Sequence, residues 1–340
     1  MRDELKKIII RQFQKEQGRL LQHKDISFLL YASRSCDILF CFINSAKTPR
    51  YLFKITANKD LFSFLKTEQS ILGELSECDF PSISETFPRV LGQGMVQNHY
   101  FILETAGQGE HLINHICACK NSLEQKKMIF YKITDWLIEL HKQTTLNPKD
   151  SREGLLEENF KETLALYKKK HGLGQAKEEK IISSHNQVSS LYPASAFILQ
   201  HRDFSPWNIL YNRKKGDIFV FDWEYGAFQG LPLIDLLNFA IDFKGIISAQ
   251  DKAQKITSKF SLSINVNISY AGKDDFLDAF YNKNQYSLLL SGCVSKYCQE
   301  FNLSSKSSEY LFLLFILRHL YREGCFLDLF LEKGCPFIFK

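Results

Sequence analysis

Residues 200–225 read QHRDFSPWNILYNRKKGDIFVFDWEY. Two short apolar runs, 209–211 and 218–221, flank the polar stretch 212–217, in which Gly216 supplies the positive φ that a hairpin turn requires. The pattern predicts two paired strands with a polar cluster where their far ends meet. His201, Asp203 and Asn208 precede the first strand and Asp222 follows the second. Pairing therefore converges Asp203, Asn208 and Asp222 on one point. Two carboxylates and an amide oxygen are hard donors of the kind Mg²⁺ accepts, with phosphate oxygens and water completing its shell.

Taken singly, Asp203 and Asn208 also suit turn capping and Asp222 a strand end. The ordered set H-x-D-x4-N, then a hairpin, then Asp is more specific. HRDFSPWNIL followed by FDWEYG resembles the aminoglycoside phosphotransferase and choline kinase superfamily, relatives of the protein kinases. The resemblance implies Asp203 as catalytic base, Asn208 as a metal ligand, Asp222 as the main Mg²⁺ ligand, and His201 as a residue that fixes the loop. Trp223-Glu224, where protein kinases carry Phe-Gly, points to the small-molecule branch.

The chain has 340 residues, 45% apolar and 24% charged, enough material for two lobes with separate cores. Its 43 basic and 38 acidic residues give a net charge of +5 with no stripe or tail that argues for nucleic acid. Nine cysteines, without repeated C-x-x-C spacing, fit reduced thiols rather than a zinc site, and a cytoplasmic location is expected. The amino terminus lacks signal-peptide character, and the apolar run 311–317 is far short of the ~20 residues of a membrane span.

Residues 1–22 read as an amphipathic helix. Runs 26–31 and 38–44 read as strands, and their connection is expected to cover the nucleotide phosphates, although it holds no glycine. Ser33 and Ser35 can donate to phosphate there, but a serine-rich hairpin turn fits the same residues. The next strand, 51–56, carries Lys54, and a helix over 60–77 places Leu61, Phe64, Leu65, Ile71, Leu72 and Leu75 on one stripe. Glu68 falls on that stripe. A buried carboxylate needs a partner, and Lys54 is the candidate, unless Glu68 lies at the stripe's edge and reaches water. The resemblance gives this pair a role: Lys54 on the nucleotide phosphates, held in place by Glu68. Two further strands lead to the glycine-bearing segment 106–109, and the resemblance makes Glu104 and Thr105 the hinge residues whose backbone meets the adenine edge. A plain strand and glycine loop would read the same.

The helix 123–141 ends in WLIELH, similar to the family's helix before the catalytic segment, with His141 read as packed rather than ligating. Residues 147–190 form either an insertion that shapes the substrate side or a spacer. Asp235, in an apolar helix after the core stretch, resembles the family position that braces the catalytic loop. The expected fold is α+β and protein-kinase-like. It has an N-terminal nucleotide-binding lobe, 1–104, with an antiparallel sheet and one helix, and a mainly helical catalytic and substrate lobe, 105–340.

The expected reaction moves the ATP γ-phosphate to a hydroxyl of a small molecule. Lys and Arg number twelve against eleven Asp and Glu over 230–340, so a polycationic aminoglycoside is a poorer acceptor candidate than a sugar or amino alcohol. Aromatics such as Phe276, Phe280, Tyr281, Tyr286, Tyr310 and Phe312 suit either a ligand wall or core packing. Two rivals stand beside this reading. The glycine-free loop motivates a pseudokinase acting as a nucleotide-binding or regulatory module. A protein kinase is disfavoured by the missing DFG and A-P-E segments.

Overall fold

In the computed structural model, residues 1–33, 36–80, 82–118, 122–145, 154–189, 197–260, 272–319 and 325–337 are described. The first elements are α1 (Arg2–Gln17), β1 (Ile26–Ala32), β2 (Asp37–Ile43), β3 (Tyr51–Thr56), α2 (Phe62–Glu77), β4 (Val90–Val96), β5 (His99–Thr105) and β6 (Glu110–His111). There follow α3 (Leu112–Ala118), α4 (Leu123–Gln143), α5 (Leu155–His171), α6 (Gln175–Ser189), β7 (Ile198–Gln200), β8 (Ile209–Asn212), β9 (Asp217–Val220) and β10 (Ala227–Gly230). The chain closes with α7 (Ile234–Phe260), α8 (Lys273–Phe276), α9 (Gln285–Glu300), α10 (Ser305–His319) and α11 (Cys325–Lys333).

These elements divide into two compact units, Met1–His111 with Asn208–Gly226, and Leu112–Trp207 with Ala227–Lys340. The sequence reading cut the chain once, after residue 104, whereas this division runs on to His111 and returns the 208–226 hairpin to the first unit. The reason is pairing: β6 adds antiparallel to β8, and β8 pairs with β9 across the turn at Gly216, whose φ is 73°.

In the first unit, β1 to β5 form an antiparallel sheet in the order β1-β2-β3-β5-β4. Alternation along the strands sends successive side chains to opposite faces. Phe53, Ile55, Phe101 and Leu103 pack with Leu5 and Ile9 of α1, and Tyr100 and Ile102 pack with Leu65 of α2. Each fully buried side chain of this size contributes about 1.5–3 kcal/mol. The same alternation puts Lys54, between Phe53 and Ile55, on the α2 face. The hairpin docks closely because two positions carry no side chain. A Cβ on Gly107 would lie 2.3 Å from Cδ1 of Phe219, and one on Gly109, whose φ is 140°, would lie 2.7 Å from the Tyr211 carbonyl oxygen.

The second unit is mainly helical. Residues 310–317 of α10 are buried all round, as expected of a central helix. On α4 the predicted stripe of Ile129, Ile133, Leu137 and Leu140 is buried, and Phe130 joins Phe239, Phe243 and Tyr286 in a cluster of rings. Of the aromatics considered for a ligand wall, Phe276, Phe280, Tyr286, Tyr310 and Phe312 are buried core, with Phe276 packed on Phe280, Phe312 and Phe326, while Tyr281 is half-buried and donates its hydroxyl to the Gly334 carbonyl at 3.0 Å. Segment 154–189 forms α5 and α6, with α5 packed on α10. Among the described residues, no helix is long and apolar enough to cross a membrane.

Candidate active site

Lys54 gathers the candidate residues of the first unit. From β3 its Nζ donates to both Glu68 oxygens at 2.8 and 2.7 Å and to Oδ1 of Asp222 at 2.6 Å. Glu68 is sealed on the inner face of α2 and also accepts the Trp223 backbone N–H at 3.0 Å. That last contact explains the buried Trp223, whose indole N–H donates to the Val220 carbonyl at 3.2 Å. The tryptophan anchors the segment after β9 so that its backbone reaches α2. The sequence reading foresaw the Lys54–Glu68 pair, but neither the Lys54–Asp222 contact nor the Trp223 clamp.

Asp222 follows β9 with φ 70°, a left-handed conformation uncommon for a residue with a side chain. Such strain clusters at functional sites, where surrounding contacts over-determine it. The contacts here are the Lys54 bond and the Phe221 N–H donated to the Asn208 carbonyl at 3.0 Å. With the register Ile209↔Val220, this bond brings Asn208 and Asp222 to the same end of the hairpin, as their spacing predicts.

The electrostatics of the cluster are unequal. Burial works against the Lys54 ammonium, but Glu68, Asp222 and Glu104 together outweigh it and hold its pKa well above the ordinary lysine value. Burial raises the Glu68 carboxyl, and the Lys54 charge and the Trp223 N–H resist that rise. Glu104 is pushed well above the carboxylate range by burial and then by Glu68, with Lys54 opposing. It is 1% exposed, and its Oε1 has no hydrogen-bond partner, which also favours the neutral acid.

The remaining nucleotide candidates are placed differently. Thr105 donates its N–H to the Arg89 carbonyl at 3.0 Å and accepts the Arg89 N–H on Oγ1 at 2.9 Å, and Ala106 N–H goes to Arg50. Those hinge donors are spent within the unit. Ser33 closes the β1–β2 hairpin: its N–H and hydroxyl donate to the Cys36 carbonyl at 3.1 and 2.7 Å, and its Oγ accepts the Cys36 N–H. This is the geometry of the plain serine turn. Ser35 lies outside the described residues.

In the second unit, β7 leads into His201, Arg202 and Asp203. His201 is fully buried and Asp203 is exposed. Asp235, from the first turn of α7, accepts the backbone N–H of His201 on Oδ2 at 2.6 Å and that of Arg202 on Oδ1 at 3.1 Å. Burial raises the Asp235 carboxyl to about 6, against the pull of those two N–H groups. His141 lies 3.9 Å from Asp235, bonds Tyr297 through Nδ1 at 2.6 Å, and is pushed down to about 3 by burial. It is a packed neutral ring. On the far side of Asp203, Phe204 stacks on Trp136 with ring centroids 5.7 Å apart. Packing and backbone bonds thus hold both flanks of Asp203.

Among the described residues no cluster of three or more His, Cys, Asp or Glu is placed to hold a metal ion. A one-carboxylate site completed by an amide and phosphate oxygens has a smaller protein donor set, which is the usual way Mg²⁺ binds beside phosphates. The Asp222 side chain, 33% exposed, and Asn208 fit that description.

The model of the APH phosphotransferase enzyme family matches residues 40–256. No curated protein matches the chain. Among solved structures, it is similar to aminoglycoside phosphotransferase APH(3'')-Id from Streptomyces rimosus, with 12% identity, 84% of this chain and 97% of that one covered, and a TM-score of 0.43. The same enzyme in complex with ADP and streptomycin gives 14% identity, the same two coverages and a TM-score of 0.45.

Proposed function

The chain belongs to the APH phosphotransferase enzyme family, and from that premise we propose that it transfers the γ-phosphate of ATP to a hydroxyl of a small molecule with the help of Mg²⁺. The observation that carries this reading is the buried Lys54 ammonium held between Glu68 and Asp222. A purely structural ion pair needs one carboxylate. The second, partly exposed one gives the lysine a partner it can release.

In this assignment residues 1–104 bind the nucleotide, and 105–340 supply the metal ligands, the base and the acceptor site. Lys54 neutralises phosphate charge, and Glu68, locked by the Trp223 N–H, keeps the lysine aimed. When bound, Mg²⁺ supplies charge neutralisation on the phosphate oxygens, with Asp222 and Asn208 as its protein ligands. Lys54 occupies only Oδ1 of Asp222, so Oδ2 would be open to the cation while the lysine stays within reach of the phosphates. Asp203 orients the acceptor hydroxyl and takes its proton, while Asp235 braces the backbone before it and His201 fills the core beneath. Little covalent chemistry is asked of the protein, so positioning and electrostatics account for the rate.

The balanced charge over 230–340 supports an acceptor other than a polycation, such as a sugar or an amino alcohol. The test is an ATP-consumption assay with mass detection of phosphorylated product, run on sugars, amino alcohols and aminoglycosides. Turnover of aminoglycosides alone would overturn the acceptor assignment. If ATP and Mg²⁺ bind but no acceptor is phosphorylated, the chain is a regulatory nucleotide-binding module instead.

A further inference from the structure

A cavity of about 210 Å³ opens within the first unit and takes no part in phosphoryl transfer as assigned. Three stretches wall it: the approach to β4 with Glu85, Phe87 and Arg89, the segment 105–108 after β5, and the tip of the β8–β9 hairpin with the strand residues beside it. Lys54, Glu68, Asn208 and Asp222 do not line it. Strand alternation gives the reason. Lys54 and Ile102 stand opposite one another on β3 and β5 and share the α2 face with Glu104, so Thr105 turns to the other face, where its Oγ1 accepts the Arg89 N–H at 2.9 Å. The backbone of β5 is thus what joins the cavity to the lysine cluster.

The walls suit a guest that carries both charges. Phe87 and Ile218, both buried, give with Phe219 an apolar lining. Arg89 is engaged by Glu85 at 3.2 Å. Lys215 and Asp217, exposed on either side of Gly216, have no hydrogen-bond or ion-pair partner for their side chains among the described residues. Asn212 beside them accepts the N–H groups of Lys214 and Lys215 on Oδ1 at 3.1 and 3.3 Å, which leaves its own amide N–H groups to donate. Two cations and two carboxylates on the walls cancel, so the cavity favours neither a polyanion nor a polycation. One carboxylate and one ammonium on a single molecule can meet Lys215 and Asp217 together. The volume sets the size: a cavity of about 150 Å³ holds a benzene ring, so this larger one admits a ring with a few further atoms.

We propose that the cavity binds a small zwitterion with an apolar body, the chemistry of a free aromatic amino acid, and that its occupation changes the affinity of the unit for nucleotide. The coupling rests on the phosphotransferase reading above; the binding of the zwitterion does not. A guest in contact with 105–108 restrains the segment that continues β5 beyond Glu104. Any effect it has on nucleotide affinity is returned in equal measure by nucleotide on the guest.

The experiment has two arms. In the first, isothermal titration of the nucleotide-free protein compares L-phenylalanine with phenylacetate and phenethylamine, each of which keeps one of its two charges. Phenylalanine should bind saturably and at least tenfold more tightly than either. Asp217→Asn should lower its affinity to that of phenylacetate and leave phenylacetate unchanged; Lys215→Gln should lower it to that of phenethylamine and leave phenethylamine unchanged. Near-ultraviolet circular dichroism confirms that each variant is folded. Absence of saturable phenylalanine binding, equal affinity for the three compounds, or affinities unchanged in both variants overturns the site. Tighter binding of phenylacetate or phenethylamine overturns the zwitterion. In the second arm, ATP is titrated at fixed Mg²⁺ with and without saturating phenylalanine, and its affinity should change at least threefold. An unchanged ATP affinity keeps the site and removes the coupling. No ATP binding under either condition, with the crossed pattern of the variants intact, sinks the phosphotransferase and leaves the zwitterion site.

Discussion

Lys54 and Asp222 stand 2.6 Å apart, and the same ammonium also holds both oxygens of Glu68. One cation ties together β3, α2 and the end of β9. Its two partners differ in environment: the Glu68 side chain is sealed, whereas that of Asp222 is one-third exposed, at 33%. Water screens the second pair far more than the first. A competing cation can therefore open the Asp222 contact while Glu68 keeps the lysine in place.

The buried half of this arrangement should show in stability. Removing one partner of a buried pair strands the other and costs about 3–5 kcal/mol, whereas replacing both by apolar groups of similar volume is often close to neutral. Lys54→Met should therefore destabilise by several kcal/mol, and Lys54→Met with Glu68→Leu by clearly less. Urea denaturation of the four proteins of the cycle measures this. Additive losses would show that the two residues do not depend on one another.

The exposed half should show in binding. Asp222→Asn removes the negative charge that serves Lys54 and Mg²⁺ while leaving the volume unchanged. Mg²⁺-dependent ATP binding should be lost or fall by at least two orders of magnitude on the scale of a charge-assisted contact in a water-poor site. Calorimetric titration with ATP at fixed Mg²⁺ checks it. Unchanged affinity together with unchanged turnover would remove Asp222 from the metal.

The site was legible where chemistry and spacing coincide. A carboxylate on the apolar stripe of α2 had to find a cation, and Lys54 was the one on the preceding strand. Alternation and the Gly216 turn likewise set Asn208 and Asp222 at one end of the hairpin. What stayed hidden depends on backbone direction. Nothing local tells that Trp223 turns its N–H to Glu68, that the Ser33 hydroxyl folds back on Cys36, or that Thr105 and Ala106 spend their N–H groups on the carbonyls of Arg89 and Arg50. The glycines of 106–109 were read as a hinge signal, yet Gly107 and Gly109 are explained by the close approach of Phe219 and Tyr211. The division of the chain was hidden for the same reason, because a two-residue strand such as β6 has no periodicity to read.

Asp235 gives a pH dependence with a definite sign. Its folded pKa of about 6 lies above the unfolded 3.8, so between these values the folded chain retains a proton that the unfolded chain has lost. Stability from this group is therefore fully present below pH 3.8 and is lost as the pH rises through 6. His141 has the opposite effect, since its folded value of about 3 lies below the unfolded 6.5 and its contribution is lost as the pH falls. Comparison with Asp235→Asn isolates the first effect. From pH 4 to pH 7, wild type should lose about 2–3 kcal/mol relative to the variant in urea denaturation. A constant difference would show that Asp235 titrates alike in both states.

Asp203 should separate binding from chemistry. Its flanks are fixed by other groups: Asp235 holds the backbone before it, and Phe204 stacks on Trp136 after it. These groups hold the loop on both sides, and Asp203→Asn, which keeps the volume of the side chain, should still fold. Lys54, Glu68 and Asp222 belong to the other unit, so nucleotide affinity should also survive. Phosphoryl transfer should fall by about 10²- to 10⁴-fold, the usual loss for removal of an acid–base group. Single-turnover measurement on an acceptor that the wild type phosphorylates, beside calorimetric titration with ATP and Mg²⁺, gives both numbers. A transfer rate unchanged in the variant would exclude Asp203 as the base. If affinity and transfer fell together with stability, its role would be to hold the loop rather than to accept a proton.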